Sequence, residues 1–227
     1  MNTAIIVAAG SGQRFAGSQP KQFVDLLGKP VIIHTLERFQ ACPEIDKIVL
    51  VLSEDGREYF EEIKGKFEIS NLRSIITGGK ARAESVKNAL DSIDAHCDDI
   101  IAVHDGARPL VSTEEISRTI DKAAETGAAC LVAEVTDTIK EIEGEYVVNT
   151  IDRSRLRRAL TPQTFRYDIL RKAFDGADFS ESITDECYLV EKLGVKIAMV
   201  EGSARNIKIT RAEDLILAEA LLKQCKI

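Results

Sequence analysis

Short apolar runs alternate with longer amphipathic stretches along this chain. Ala4-Ile5-Ile6-Val7-Ala8 is the first run, and Lys47-Ile48-Val49-Leu50-Val51-Leu52 repeats the type. Ile100-Ile101-Ala102-Val103, Ala129-Cys130-Leu131-Val132-Ala133 and Val195-Lys196-Ile197-Ala198-Met199-Val200 follow. Continuous apolar runs without polar alternation predict strands covered on both faces, as in a parallel sheet. Between them, Arg82 to Ile93 puts Val86, Leu90 and Ile93 on one helical stripe. Thr113 to Thr126 does the same with Ile116, Ile120 and Ala123. Ser112-Thr113-Glu114-Glu115 supplies a capping box, and Gly127 is placed as the C′ residue. Thr210-Arg211-Ala212-Glu213 reads as a second capping box, opening a terminal helix buried through Leu217, Leu221 and neighbours. Strands alternating with helices predict an α/β, doubly wound fold.

One stretch breaks the rhythm. From Glu134 to Asp152 two strand signals lie close together around Glu143-Gly144-Glu145, which reads as a hairpin turn. A hairpin inserted into a parallel α/β chain projects from the body, as a lid or as a dimer contact. The expected organisation is one domain over residues 1–227 with a β-arm at about 134–154.

Composition narrows the partners. Thirty basic against 37 acidic residues give a net charge of −7, which excludes a long nucleic acid or an anionic membrane, since both need a basic face. Any phosphate must therefore be held locally, against the global field. No apolar run approaches the ~18 residues of a membrane span. Met1-Asn2-Thr3-Ala4 lacks the basic flank and cleavage site of a signal peptide. The five cysteines, Cys42, Cys97, Cys130, Cys187 and Cys225, show no Cys-x-x-Cys spacing and read as reduced, buried thiols of a cytoplasmic protein. The three scattered histidines speak against zinc. The last helix runs close to Ile227, so no further fused enzyme is expected.

The first strand empties into Ala8-Ala9-Gly10-Ser11-Gly12-Gln13-Arg14-Phe15, followed by Pro20-Lys21-Gln22. A Gly-x-Gly turn at a strand's carboxyl end presents backbone N–H groups to an anion. The dinucleotide fingerprint needs glycine where Phe15 stands. The P-loop needs lysine after Gly17, where Ser18-Gln19 follow. What remains is a glycine loop with two cations, Arg14 and Lys21, able to fold onto whatever the glycines hold. A triphosphate requires that combination of amides and movable cations.

A second candidate follows Ile100-Ile101-Ala102-Val103, in His104-Asp105-Gly106-Ala107-Arg108-Pro109. Asp105 is expected one residue past a buried strand, on the edge that carries the glycine loop. A carboxylate there can hold Mg²⁺ bridging phosphate oxygens, or Asp105-Gly106 is simply a turn. Arg108 can pair with Asp105 or with the loop, and His104 reads as a packed histidine rather than a base.

Taken together, Ala8-Ala9-Gly10-x-Gly12-x-Arg14, Pro20-Lys21-Gln22, His104-Asp105-Gly106-Ala107-Arg108-Pro109, Leu160-Thr161-Pro162-Gln163, Thr184-Asp185-Glu186 and Asn206-Ile207-Lys208-Ile209-Thr210 resemble the 2-C-methyl-D-erythritol 4-phosphate cytidylyltransferase family. The resemblance spans residues 4 to about 222. It implies a homodimeric nucleotidyltransferase with a Rossmann-like core and a protruding β-arm, using CTP, methylerythritol phosphate and Mg²⁺. It further implies Arg14, Lys21 and Lys208 as catalytic cations and Asp105 as metal ligand. Ala8, Ala9, Gly10, Ser11, Gly12, Gly79, Ser85, Asp105 and Gly106 match the CTP site. Thr138, Arg153, Thr161 and Arg108 match the acceptor site, Thr138 and Arg153 reaching it from a neighbouring subunit. Lys80 and Arg205 depart from the pattern, standing where an acidic residue occurs in some relatives. Arg155, Arg157 and Arg158 read as a solvated strand-to-helix corner. Thr184-Asp185-Glu186 could equally be a helix N-terminus, with acids placed for its dipole.

The implied reaction needs no general base, because a phosphate monoester with a second pKa of ~6 is already ionised at neutral pH. Two other readings stay open: a cytidylyltransferase for another polyol phosphate such as ribitol 5-phosphate, and a non-catalytic nucleotide sensor. Retention of Arg14, Lys21, Asp105 and Lys208 together speaks against the sensor.

Overall fold

The computed structural model describes residues 1–10, 15 and 20–224. In chain order the elements are β1 (Asn2–Ala8), β2 (Asp25–Leu26), β3 (Lys29–Pro30), α1 (Val31–Gln40), β4 (Lys47–Leu52), α2 (Glu54–Lys64) and β5 (Leu72–Thr77). Next come α3 (Arg82–Asp91), β6 (Ile100–Asp105), α4 (Thr113–Thr126), β7 (Ala128–Glu134), β8 (Ile139–Glu143) and β9 (Tyr146–Ile151). The chain continues through β10 (Arg157–Arg166), α5 (Tyr167–Asp175), α6 (Glu186–Glu191), β11 (Ala198–Glu201) and α7 (Ala212–Gln224).

Among the described residues the central sheet has seven strands, ordered β11-β7-β10-β6-β1-β4-β5. Neighbours pair in parallel except β10, which runs antiparallel to both β6 and β7. Six strands therefore share one direction. The registers Val7 with Val51 and Val7 with Asp105 bring the carboxyl ends of β1, β4 and β6 to one edge. The apolar runs of β1, β4 and β6 are almost wholly enclosed because successive side chains serve opposite faces, both covered. Ala4 and Ile6 pack with α1 and α4 residues such as Leu36, Phe39 and Ile116. Ile5 packs on the other face with Val86 and Leu90 of α3 and Phe174 of α5.

The capping box of α4 is formed by Ser112 and Glu115, and Gly127 closes the helix at φ 88°. The hairpin is present too, as a separate two-stranded sheet of β8 and β9 turning at Gly144. It exposes Ile142, Tyr146, Val147 and Val148.

Several expectations need correction. The strand expected at Val195–Val200 covers only Ala198–Glu201, so the run's first residues lie in the preceding connection. The terminal helix is not capped by Thr210 and Glu213: Asp214 accepts from the backbone N–H groups of Thr210 and Arg211, at 2.8 Å each. Its buried residues are Ala218 and Leu222, against Leu26, Val31 and Ile209, while Leu217 is exposed. With Leu215, Ile216, Leu217, Leu221 and Leu222 the helix is apolar nearly all round, so periodicity alone does not select the face. Cys42, Cys130 and Cys187 are buried, but Cys97 is exposed, and Cys225 lies outside the described residues. Arg157 and Arg158 open β10, and Arg153–Arg155 form a 3₁₀ turn. The cluster therefore joins arm to sheet rather than strand to helix.

Candidate active site

At the carboxyl edge of the sheet lies a cavity of about 340 Å³ lined by the end of β1 (Val7 to Gly10), Lys21, Gln22, Gly79 to Arg82, Ser85, Asp105, Ala107 and Lys208. Ser11, Gly12 and Arg14 fall outside the described residues. The next expected cation is in place. Pro20 leads into a 3₁₀ turn that begins at Lys21, and the buried Gln22 side chain ties that turn to the loop, donating to the Ala8 carbonyl at 2.8 Å.

Two close approaches shape the walls. A Cβ on Gly106 would stand 2.8 Å from the Ala8 Cβ and 2.8 Å from the Ile32 Cδ1. One on Gly79 would stand 2.4 Å from the Glu84 Cβ. Glycine at these positions lets the two turns draw against their neighbours. The Gly79 N–H donates to Ser85 Oγ at 3.1 Å, and Ser85 Oγ donates to the Ala81 carbonyl at 3.0 Å. Lys80 is fixed through its backbone, whose N–H donates to Glu84 Oε2 at 2.8 Å.

Asp105 is the last residue of β6 rather than one past it, and it is buried. Three cations surround its carboxylate: Arg82 Nε at 3.1 Å from Oδ1, Arg108 Nε at 3.2 Å and Lys208 Nζ at 2.9 Å from Oδ2. Burial alone would raise its pKa, but Arg82, Lys208 and Arg108 together outweigh it and hold the group well below the usual carboxylate range. Lys208 is delivered by the segment after β11. There the Ile209 N–H donates to the Ala107 carbonyl at 2.8 Å, and Asn206 Nδ2 donates to the Thr161 carbonyl at 2.9 Å. Arg108 also donates to the Asn206 carbonyl at 2.8 Å.

Arg82 was not anticipated, although one signal marks it. It is the first residue of α3, where a helix dipole disfavours a cation, so its charge must answer to something outside the helix. The answer is a second carboxylate, Glu186 Oε1, 2.6 Å from Arg82 Nη1 and fully buried. Burial works against the Arg82 charge, but Glu186 and Asp105 more than compensate. Burial pushes the Glu186 carboxyl upward in spite of Arg82. Asp185 caps α6 by accepting from the Tyr188 N–H at 2.9 Å, which agrees with the helix-terminus reading of Thr184-Asp185-Glu186.

The residues expected at the acceptor site are not brought together in a single chain. Thr161 is buried behind Asp105. Its hydroxyl accepts from the Asp105 N–H at 3.2 Å and meets His104 Nδ1 at 3.0 Å. Arg153 donates to the Thr136 carbonyl and lines a separate cavity of about 370 Å³ with Glu134 and Arg157. Thr138 is exposed at the base of the arm. His104 is enclosed, its ring tilted against Phe39 at 4.8 Å between ring centroids. Burial lowers its pKa to about 3, so it is a neutral structural histidine. Arg205 donates to the Leu221 carbonyl at 2.9 Å.

With this geometry in view, a model of the 2-C-methyl-D-erythritol 4-phosphate cytidylyltransferase family matches residues 2–224. The chain belongs to that family. The 2-C-methyl-D-erythritol 4-phosphate cytidylyltransferase of Bacillus velezensis is 43% identical over 221 residues, covering 96% of this chain and 94% of that one. The enzyme of the same name from Syntrophus aciditrophicus is 41% identical, covering 97% and 95%. The crystal structure of 4-diphosphocytidyl-2C-methyl-D-erythritol synthase from Anaerococcus prevotii superimposes with a TM-score of 0.84 at 31% identity. It covers 98% of this chain and 96% of that one.

Proposed function

We propose that this chain transfers CMP from CTP to 2-C-methyl-D-erythritol 4-phosphate, releasing pyrophosphate and 4-diphosphocytidyl-2-C-methyl-D-erythritol. The observation that carries this reading is the convergence of Arg82, Arg108 and Lys208 on Asp105, at a cavity that Lys21 also lines, in a chain of this family. These three cations against two carboxylates, Asp105 and Glu186, leave the cluster positive inside an acidic protein. A triphosphate and a sugar phosphate repel each other, and fixed cations are the remedy.

The roles follow from position. Gly10 and the turn at Gly79 and Ser85 face the nucleotide, and Lys21 and Lys208 reach the reacting phosphorus, with Arg14 assigned the same task by the sequence motif alone. No side chain has to remove a proton from the acceptor, whose phosphate oxygen is the nucleophile and is ionised at neutral pH. His104 takes no part, since both ring nitrogens are engaged, with Thr161 and with the Arg108 carbonyl.

The donor chemistry at Asp105 accommodates Mg²⁺. The carboxylate stays ionised, and its two oxygens offer about four acceptor positions. Among the described residues no group of three His, Cys, Asp or Glu side chains is placed to cage a metal. That suits an ion which takes one protein carboxylate and completes its shell with phosphate and water. When bound, Mg²⁺ neutralises charge between phosphate oxygens.

The arm has its place in the same reading. Exposed Ile142, Tyr146, Val147 and Val148 form an apolar surface that calls for cover, and a second copy of the chain provides it. Thr138 and Arg153 then serve the acceptor phosphate in the neighbouring subunit, and Arg108 and Thr161 support it from within. No described helix is long and apolar enough to cross a membrane. Calorimetric titration with Mg²⁺ and each of CTP, UTP, ATP and GTP tests the nucleotide assignment. CTP should bind tightest, and equal binding of all four would overturn it.

A further inference from the structure

We propose that Glu186 is a positioning residue for the transfer reaction: by anchoring Arg82 it limits that guanidinium's hold on Asp105 and keeps the carboxylate open to a divalent cation. The inference rests on the proposed metal role of Asp105.

Arg82 stands at a fork between two acids. Its Nη1 lies 2.6 Å from Glu186 Oε1, and its Nε lies 3.1 Å from Asp105 Oδ1. The shorter arm of the fork goes to Glu186, which offers none of its surface to solvent. The anchor is itself held rigidly. Gln163 Oε1 accepts from the backbone N–H groups of Glu186 at 3.1 Å and Cys187 at 3.0 Å, and Gln163 Nε2 donates to Asp185 Oδ2 at 2.8 Å. Gln163 lies in β10, paired directly with Val103 of β6 two residues before Asp105. One rigid frame therefore sets both acids that share Arg82.

Stability alone does not account for Glu186. A buried ion pair seldom improves on an apolar pair of the same shape, and here Glu186 Oε2 has no hydrogen-bond partner among the described residues. Such an oxygen is a cost to the fold. What the residue achieves is directional. Without its charge, the guanidinium is free to turn both of its N–H donors onto Asp105 in the paired geometry that arginine and carboxylate favour. Asp105 already carries Arg108 and Lys208, and an incoming cation would then have to displace a forked arginine as well.

The test separates this role from a merely structural one and needs no turnover. Mn²⁺ binding is followed by electron paramagnetic resonance with CTP present and acceptor absent, in wild type, E186Q and the double variant R82Q/E186Q. E186Q should bind Mn²⁺ ~10-fold or more weakly, the scale on which groups orienting a metal ligand act. The double variant, in which no guanidinium competes for Asp105, should recover wild-type affinity or exceed it. Unchanged binding in E186Q overturns the proposal, and so does a double variant as weak as E186Q, since the loss would not pass through Arg82. Where E186Q does not fold, weaker binding by the double variant than by wild type overturns it. Absence of Mn²⁺ binding in wild type overturns the metal role of Asp105 itself, a separate failure.

Discussion

Lys208 Nζ stands 2.9 Å from Asp105 Oδ2, so a cation delivered after β11 meets the last residue of β6 in the cavity that Lys21, Gly79 and Ser85 also line. The Lys208 side chain is about one-third exposed and can move toward a phosphate without disturbing the core. Lys208→Ala should therefore lower kcat by ~10²–10³, the usual cost of one lost electrostatic stabiliser. Circular dichroism should remain that of the wild type. Lys21→Ala, in the same cavity, should behave alike, and near-normal turnover of either folded variant would contradict the assignment.

Burial of His104 makes stability depend on pH with a definite sign. Its pKa falls from 6.5 to about 3 in the folded chain, so between those values the unfolded state binds the extra proton. The stability it contributes is complete above pH ~6.5 and is lost as pH falls, by ~1 kcal/mol per unit once well inside the window. His34, also lowered chiefly by burial, acts in the same direction. Urea midpoints measured from pH 7 to 5 should decline, and His104→Gln should flatten part of that slope. A midpoint that rises on acidification over this range would be inconsistent with a buried neutral imidazole.

The strands were legible where both faces are buried, as in β1, β4 and β6, because burial leaves no room for polar alternation. β10 was not. Its middle reads Thr161-Pro162-Gln163-Thr164, four buried residues of which three are polar. The first and third of them are satisfied by distant partners, Thr161 by the Asp105 N–H and Gln163 by the start of α6. The same division runs through the site. Lys21, Gly79, Ser85, Asp105 and Lys208 belong to recognisable local motifs and share one cavity. The pairing of Arg82 with Glu186 spans 104 positions, and no local pattern encodes it. On α7 only Leu217 was misplaced, exposed beside the buried Ala218, because the helix's apolar residues surround it.

Close packing behind the cavity sets a further expectation. In Gly106→Ala the added methyl meets the Ala8 Cβ and the Ile32 Cδ1 at 2.8 Å. The Ile32 terminus can turn aside, but the β1 backbone that carries Ala8 is fixed between β4 and β6. The variant should lose ~1–3 kcal/mol, seen as a drop of several degrees in Tm by scanning calorimetry. An unchanged Tm would mean that β1 and the turn after β6 are less tightly apposed than described.

The arm offers an oligomer test. Val147→Asp places a charge within the exposed apolar surface of β9 and should leave the α/β core folded. Analytical ultracentrifugation should show wild type as a dimer and the variant shifted toward monomer, with activity falling in parallel. A variant that stays dimeric and active would remove the arm from the interface.

Joining a cytidine nucleotide to one sugar phosphate is read most directly by pyrophosphate release from wild-type protein with Mg²⁺ and CTP, comparing 2-C-methyl-D-erythritol 4-phosphate with ribitol 5-phosphate and with no acceptor. Rapid release with methylerythritol phosphate alone is the predicted result, and release with ribitol 5-phosphate only, or with neither acceptor, would contradict it.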